Sequence, residues 1–187
     1  MKIHPAAQKL FEDMQAQRFP GWAYMKVDEA RAAFSGFRSL AGEPEPVAHV
    51  EDIEIPAQPN IKARVYVPRA ERPMPVVMHF HAGGWMLGEY SDIDTPVRAL
   101  ANAAGCSFVS VNYRLAPEHK FPAALHDAYS AVRWASLNGD RFGWDGSRLA
   151  VSGDSSGGNL AAAVCLMCKD QQGPAIRFQR LIYPVGA

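Results

Sequence analysis

The segment Leu149-Ala-Val-Ser-Gly-Asp-Ser-Ser-Gly-Gly-Asn-Leu160 constrains this chain more than any other. An apolar run leads into Gly153-Asp154-Ser155-Ser156-Gly157 and then straight into an alanine-rich, helix-forming stretch. Glycine two residues either side of a serine, between a strand and a helix, implies a turn too tight for side chains at those positions. Such a turn strains the serine backbone and points its hydroxyl out at the C-terminal edge of a parallel sheet. The amide of Ser156 then opens the following helix and is free to donate to a developing oxyanion. A bare G-x-S-x-G carries little weight, and the alternative is a Gly-Ser turn that only starts a helix. The strand before it and the helix after it make Ser155 a candidate nucleophile.

The rest of the chain supplies the sheet this turn needs. Val76–Phe80, Cys106–Val111, Arg148–Ser152 and Phe178–Tyr183 read as strands. Helical stretches over 92–104, 122–138 and 156–170 separate them. Strands that alternate with helices this way form a parallel sheet with right-handed crossovers and helices on both faces. Gly105 closes the first of these helices, and Pro122 opens the second. Ahead of them, Ile53 and Ile55 alternate with acids. Ile61, Ala63, Val65 and Val67 alternate with Lys62, Arg64 and Tyr66. That period of two predicts an antiparallel pair with one wet face, joined near Pro59-Asn60. Residues 2–18 and 28–40 read as amphipathic helices broken by Phe19-Pro20-Gly21, and Gly42-Glu-Pro-Glu-Pro46 marks a boundary. The expected organisation is a helical segment over 1–45 and an α/β core over 46–187.

A second segment, Met78-His-Phe-His-Ala-Gly-Gly-Trp85, follows the strand at 76–80 directly. Gly83 and Gly84 let the backbone approach a substrate carbonyl and aim N–H groups at it. His81 reads as a residue that fixes this loop by hydrogen bonding. His79 and His81 could also be taken as a metal pair, but no carboxylate or third histidine stands at ligand spacing. Cys165 and Cys168 have C-x-x-C spacing, yet no second pair follows, so they read as small apolar residues one turn apart on a helix. Arg114, Glu118 and His119 could be taken as a charged catalytic cluster but read as a hydrogen-bonded loop that braces the sheet near the site, and Asp127 and Asp154 read as structural carboxylates. Trp85 reads as a pocket wall, and Trp22, Tyr24 and Phe34 as pocket lining or plain packing.

Composition narrows the class of ligand. Lys plus Arg and Asp plus Glu are 19 each, so neither a basic nucleic-acid surface nor an acidic tail is expected. The longest apolar run, Leu160–Cys168, falls far short of the roughly 20 residues that cross a bilayer. The N-terminus lacks the apolar run of a secretory signal. Three cysteines, an odd and low count, fit a reducing, cytoplasmic setting.

These two segments, with Val111-Asn-Tyr-Arg-Leu-Ala-Pro-Glu-His-Lys-Phe-Pro-Ala-Ala124, resemble the hormone-sensitive-lipase-like branch of the α/β-hydrolase esterases. The resemblance implies an α/β-hydrolase fold, an N-terminal helical cap, and hydrolysis of small uncharged esters of short to medium acyl chain. It needs no cofactor and no metal, and a homo-oligomer is compatible with it. The family's HGGG motif falls on His81–Gly84. Its oxyanion amides match Gly83, Gly84 and Ser156, the last standing where alanine is more usual, and its nucleophile matches Ser155. Ala82 stands where the family has its first glycine, which a negative φ would allow. In this fold the acid and base follow the serine in the chain. Here no histidine follows Ser155, and the only later acid is Asp170. The expectation is a truncated chain holding the nucleophile half of a site. The rival readings are a non-catalytic small-molecule binder of the same fold, and an amidase or acyltransferase using the same serine.

Overall fold

The structure, a computed structural model, describes residues 3–16, 18–69 and 71–186. Strands β1 (His49–Ile55) and β2 (Ile61–Val67) form the expected antiparallel pair, with Ile55 opposite Ile61 and Ile53 opposite Ala63. The alternating isoleucines and valines point inward: Ile55, Ile61, Ala63 and Val65 are buried while Lys62 is exposed. Tyr66 departs from the predicted pattern. It was expected on the wet face with Lys62 and Arg64, but it is fully buried. Helix α3 (Asp94–Ala104) covers that face, and Tyr66 packs there with Val77, Val97, Ala101 and Phe108. Its hydroxyl donates to Asp94 Oδ1 at 3.0 Å, which makes the burial of the phenol affordable.

Four further strands complete one sheet: β3 (Met74–Phe80), β4 (Ser107–Val111), β5 (Trp144–Asp154) and β6 (Ile176–Ile182). Their order is β1-β2-β4-β3-β5-β6. β2 meets β4 antiparallel, and β4, β3, β5 and β6 are mutually parallel. The continuous apolar runs behave as a doubly covered sheet requires, since β4 is buried throughout and β3 nearly so. Helices α4 (Ala123–Leu137) and α6 (Ser156–Asp170) cover the face opposite α3. Ala128, Val132, Leu160 and Val164 on those helices pack against Val65, Met78, Val109 and Val151 on the sheet. Each large apolar side chain buried in this way is worth about 1.5–3 kcal/mol.

β5 begins at Trp144, four residues before the sequence predicts, after a short helix α5 (Gly139–Phe142). Asp145-Gly146-Ser147 lie ahead of the predicted strand. The segment is nevertheless held to the sheet by buried Trp144, which stacks on Phe142 at 4.7 Å and donates from its indole nitrogen to the Ala135 carbonyl. A register shift between Met74 and Val76 absorbs the extra residues. In the register, Phe80 lies opposite both Val111 and Gly153, so the C-terminal ends of β3, β4 and β5 align along one edge.

At the N-terminal end, helix α1 spans Pro5–Ala16 and helix α2 spans Val27–Gly36, with 3-10 turns at Trp22–Tyr24 and Phe37–Ala41. Residues 2 and 17 of the first predicted helix lie outside the described residues. The second predicted helix leaves α geometry at Gly36 and tightens into its 3-10 turn. α1 buries no side chain and α2 buries only Ala30. Among the described residues, no helix is long and apolar enough to cross a membrane.

Candidate active site

The turn between β5 and α6 sits at the aligned sheet edge. Ser155 holds φ 53° and ψ −118°, a conformation that non-glycine residues rarely adopt. The flanking glycines explain why the chain can turn here. A Cβ on Gly157 would drive into the Phe80 carbonyl on β3, and one on Gly153 into the Gly157 carbonyl. The strained residue is pinned from outside the turn. Its amide donates to the Ile182 carbonyl at 3.0 Å, and its own carbonyl accepts from Val185 at 3.1 Å and Asn159 at 3.1 Å. β6 therefore helps hold the serine that β5 and α6 present. The Ser156 amide lies in the first turn of α6, where no intrahelical acceptor exists.

The second half of the site is the loop after β3. Gly83 (φ 130°) and Gly84 (φ 60°) both occupy conformations that suit glycine. The Gly83 carbonyl accepts from Met86 at 3.0 Å and Leu87 at 2.9 Å, and this closes a tight turn. Among the described residues, neither the Gly83 nor the Gly84 amide has a protein acceptor, and both glycines line the same cavity as Ser155. Ala82 is not among the residues at positive φ, so its methyl group is accommodated.

His81 is buried and anchors this loop through its backbone and ring. Its Nδ1 donates to the Ala82 carbonyl at 2.7 Å, its ring stacks on Tyr113 at 4.4 Å, and the Tyr113 hydroxyl donates to the His81 carbonyl at 2.7 Å. Burial lowers the His81 pKa and keeps the ring neutral. His79 is likewise buried; desolvation, helped by His81 and Arg180, pushes its pKa down to about 3. With that ring neutral, the 3.7 Å approach of His79 Nε2 to Asp154 Oδ1 is a polar contact rather than an ion pair. Burial also raises Asp154, opposed by hydrogen bonds from backbone amides and the Tyr183 hydroxyl. The two histidines thus have separate partners and do not converge on one point. Ser156 carries a buried hydroxyl with no hydrogen-bond partner of good geometry, beside the Tyr113 phenol.

A cavity of about 560 Å³ opens in front of Ser155. Gly83, Gly84, Leu87 and Tyr183 form its floor, and Trp22, Met25, Val27, Ala30 and Phe34 bring its apolar wall from the N-terminal helices. Trp22 and Phe34 are therefore lining residues and pack on each other at 6.1 Å, whereas Tyr24 points away and is 86% exposed. Trp85 is not in this cavity. The left-handed backbone at Trp85 (φ 59°) turns its ring to a neighbouring apolar cavity of about 390 Å³, lined also by Phe121, Leu125 and Leu160. Gly84 and Met86 border both spaces. A third cleft, of about 610 Å³ and mixed charge, lies behind α2 and does not reach Ser155.

The bracing loop is in place. Arg114 donates to both oxygens of the buried Asp127, at 2.7–3.1 Å, and Glu118 pairs with Arg31 rather than with a substrate site. Arg31, Tyr113 and Tyr183 were not singled out in the sequence. Tyr113 and Arg31 act through partners far away in the chain, and neither carries a local signal. No histidine lines the cavity of Ser155. Among the described residues, no group of three or more His, Cys, Asp and Glu side chains is placed to hold a metal ion.

Known proteins share this fold. Carboxylesterase NlhH of Mycobacterium tuberculosis is 40% identical over 166 residues, covering 86% of this chain and 52% of its own. A hyperthermophilic esterase from Pyrobaculum calidifontis superposes with a TM-score of 0.93 at 42% identity, over 99% of this chain and 60% of that one. A thermostable esterase from Pseudomonas putida gives a TM-score of 0.93 at 34% identity, over 98% and 58%. The chain spans about half the length of the curated relatives it matches. The family defined by the alpha/beta hydrolase fold matches residues 77–187, from β3 through the serine turn to the end of the sheet. With a six-stranded sheet of this order and a strained serine between β5 and α6, the chain belongs to the alpha/beta hydrolase family.

Proposed function

We propose that the protein is a carboxylic-ester hydrolase in which Ser155 attacks the ester carbonyl. Gly83, Gly84 and Ser156 donate backbone amides to the oxyanion that forms. The observation that carries this reading is the backbone of Ser155, strained between strand and helix and facing a cavity that the free amides of Gly83 and Gly84 also line. A strained residue persists only where its surroundings over-determine it, and such residues cluster at reacting centres. The named relatives are esterases, which supports ester hydrolysis over the amidase and acyltransferase readings. The apolar wall of the cavity fits an uncharged ester with a short to medium acyl chain. Residues 1–45 act as a cap that supplies this wall, and 46–187 carry the core. The general base and its acid partner come from outside residues 1–187, because no histidine lines the Ser155 cavity.

The test is Ser155→Ala in the full-length protein, assayed on a short-chain p-nitrophenyl ester. Removal of a triad serine costs several orders of magnitude in kcat, on the order of 10⁴–10⁶. Retention of more than about a tenth of the activity would remove Ser155 from the reaction.

A further inference from the structure

Helix α2 carries Val27, Ala30 and Phe34 of the cavity wall, yet Ala30 is the one residue it buries fully. So small an apolar anchor leaves the docking of the helix to other forces. Arg38 ties the turn after α2 to Asp92 at 2.6 Å, and Arg31 supplies the tether on the helix itself. Its Nε donates to the Met86 carbonyl at 2.9 Å, its Nη1 to Glu118 Oε1 at 2.8 Å, and its Nη2 to the Ala116 carbonyl at 3.0 Å and Glu118 Oε2 at 2.7 Å. The partners lie 55 to 87 residues away in sequence. They also belong to two separate segments. Met86 closes the turn that holds Gly83 and Gly84, and Ala116 donates from its own amide to the Trp85 carbonyl at 2.8 Å. One guanidinium therefore sits where the glycine turn, the 115–118 loop and the capping helix meet.

We infer that Arg31 is a positioning residue that locks the wall of the acyl cavity to the turn bearing the oxyanion amides. This inference rests on the esterase reading above and adds a residue to it. The fork geometry of arginine is what the role requires, since a planar group reaches three separated acceptors at once while an ammonium presents its donors from one point. The pair with Glu118 survives over the working pH range. Hydrogen bonding from Arg31, helped by its charge, holds the Glu118 carboxyl down to about 2, so the pair stays ionised at neutral pH; what it adds to stability is complete above the ordinary glutamate range and fades as the pH falls from there toward 2.

The test compares full-length wild type with Arg31→Lys, Arg31→Gln and Glu118→Gln, by amide hydrogen exchange and by kinetics on p-nitrophenyl acetate and octanoate. Both Arg31 variants should speed exchange about tenfold at 27–36 and at the Met86 and Leu87 amides that donate to Gly83, with β3, β4 and β5 unchanged; Glu118→Gln should lie between them and wild type. They should lower kcat on both esters and raise KM on the octanoate alone. The KM split follows because only the long acyl chain reaches the α2 wall. Should Arg31→Gln not fold, Arg31→Lys, which keeps the charge, decides. A folded Arg31 variant whose Met86 and Leu87 amides exchange at the wild-type rate overturns the inference, as does a KM change equal on both esters. The exchange result stands without turnover, so an inactive wild-type protein would sink the esterase reading and leave Arg31 to be judged on exchange alone.

Discussion

Two glycines near the site do opposite jobs, and the difference separates folding from chemistry. A methyl group on Gly157 meets the carbonyls of Phe80 and His81, which belong to a rigid strand end. Gly157→Ala should therefore destabilise the fold by roughly 1–3 kcal/mol or more. Gly84 has open space where its Cβ would stand, and only its φ of 60° resists substitution, at about 1–2 kcal/mol. Gly84→Ala should fold, and its cost should fall on kcat. A displaced oxyanion donor is worth up to roughly 3 kcal/mol, about a hundredfold, with KM much less affected because the oxyanion exists only in the transition state. Thermal melts of both variants beside steady-state kinetics of Gly84→Ala check this; an unchanged kcat would place the oxyanion elsewhere. At this scale the sequence was informative. Glycine spacing around Ser155 and after His81 is local, and local spacing is what a sequence displays. The partners that fix these turns, Tyr113 under His81 and Ile182 behind Ser155, are distant in sequence and leave no spacing to read.

Among the elements, the parallel strands and their helices were legible because each is a long apolar run with one period. The misreadings lie where tertiary contacts override that period. Tyr66 reads as surface on a two-residue repeat and is buried because α3 crosses the sheet there. Trp144 extends β5 backward through a stretch whose Asp, Gly and Ser look like a turn. The N-terminal helices are the opposite case: their amphipathic pattern was clear, but not what their apolar side faces. In the structure α2 turns Ala30 and Phe34 toward the space in front of Ser155. Phe34→Ala should lengthen that space and shift acyl preference toward longer chains, by about tenfold in the ratio of kcat/KM for an octanoate over an acetate ester. The side chain is partly exposed and lies outside the main core, so stability should change little. An unchanged ratio would show that acyl chains run into the cavity of Trp85 and Phe121 instead.

For the whole molecule, the question is what residues 1–187 do by themselves. A serine hydroxyl is a weak nucleophile until a base takes its proton. The six histidines of the chain all precede Ser155. His79 and His81 are buried, neutral and committed to Asp154, Ser152 and the Ala82 carbonyl; His119 lines two other spaces, and His4, His49 and His126 are exposed. None lines the cavity with Ser155. The far edge of the sheet carries a second liability. β6 pairs with β5 alone, and Phe178 and Tyr183 are 66% and 72% exposed beside it. An open strand edge with exposed Phe178 invites pairing with another chain. Expressed alone, residues 1–187 should thus self-associate, which sedimentation reads directly. They should also show no hydrolysis of a short-chain p-nitrophenyl ester above a Ser155→Ala control, and no labelling of Ser155 by an organophosphate at the rate of an active esterase. Turnover that depends on Ser155 in this chain would mean that one of the six histidines reaches the serine after all. His119, which shares the Gly84 cavity on the other side of the glycine turn, would then be the first to replace.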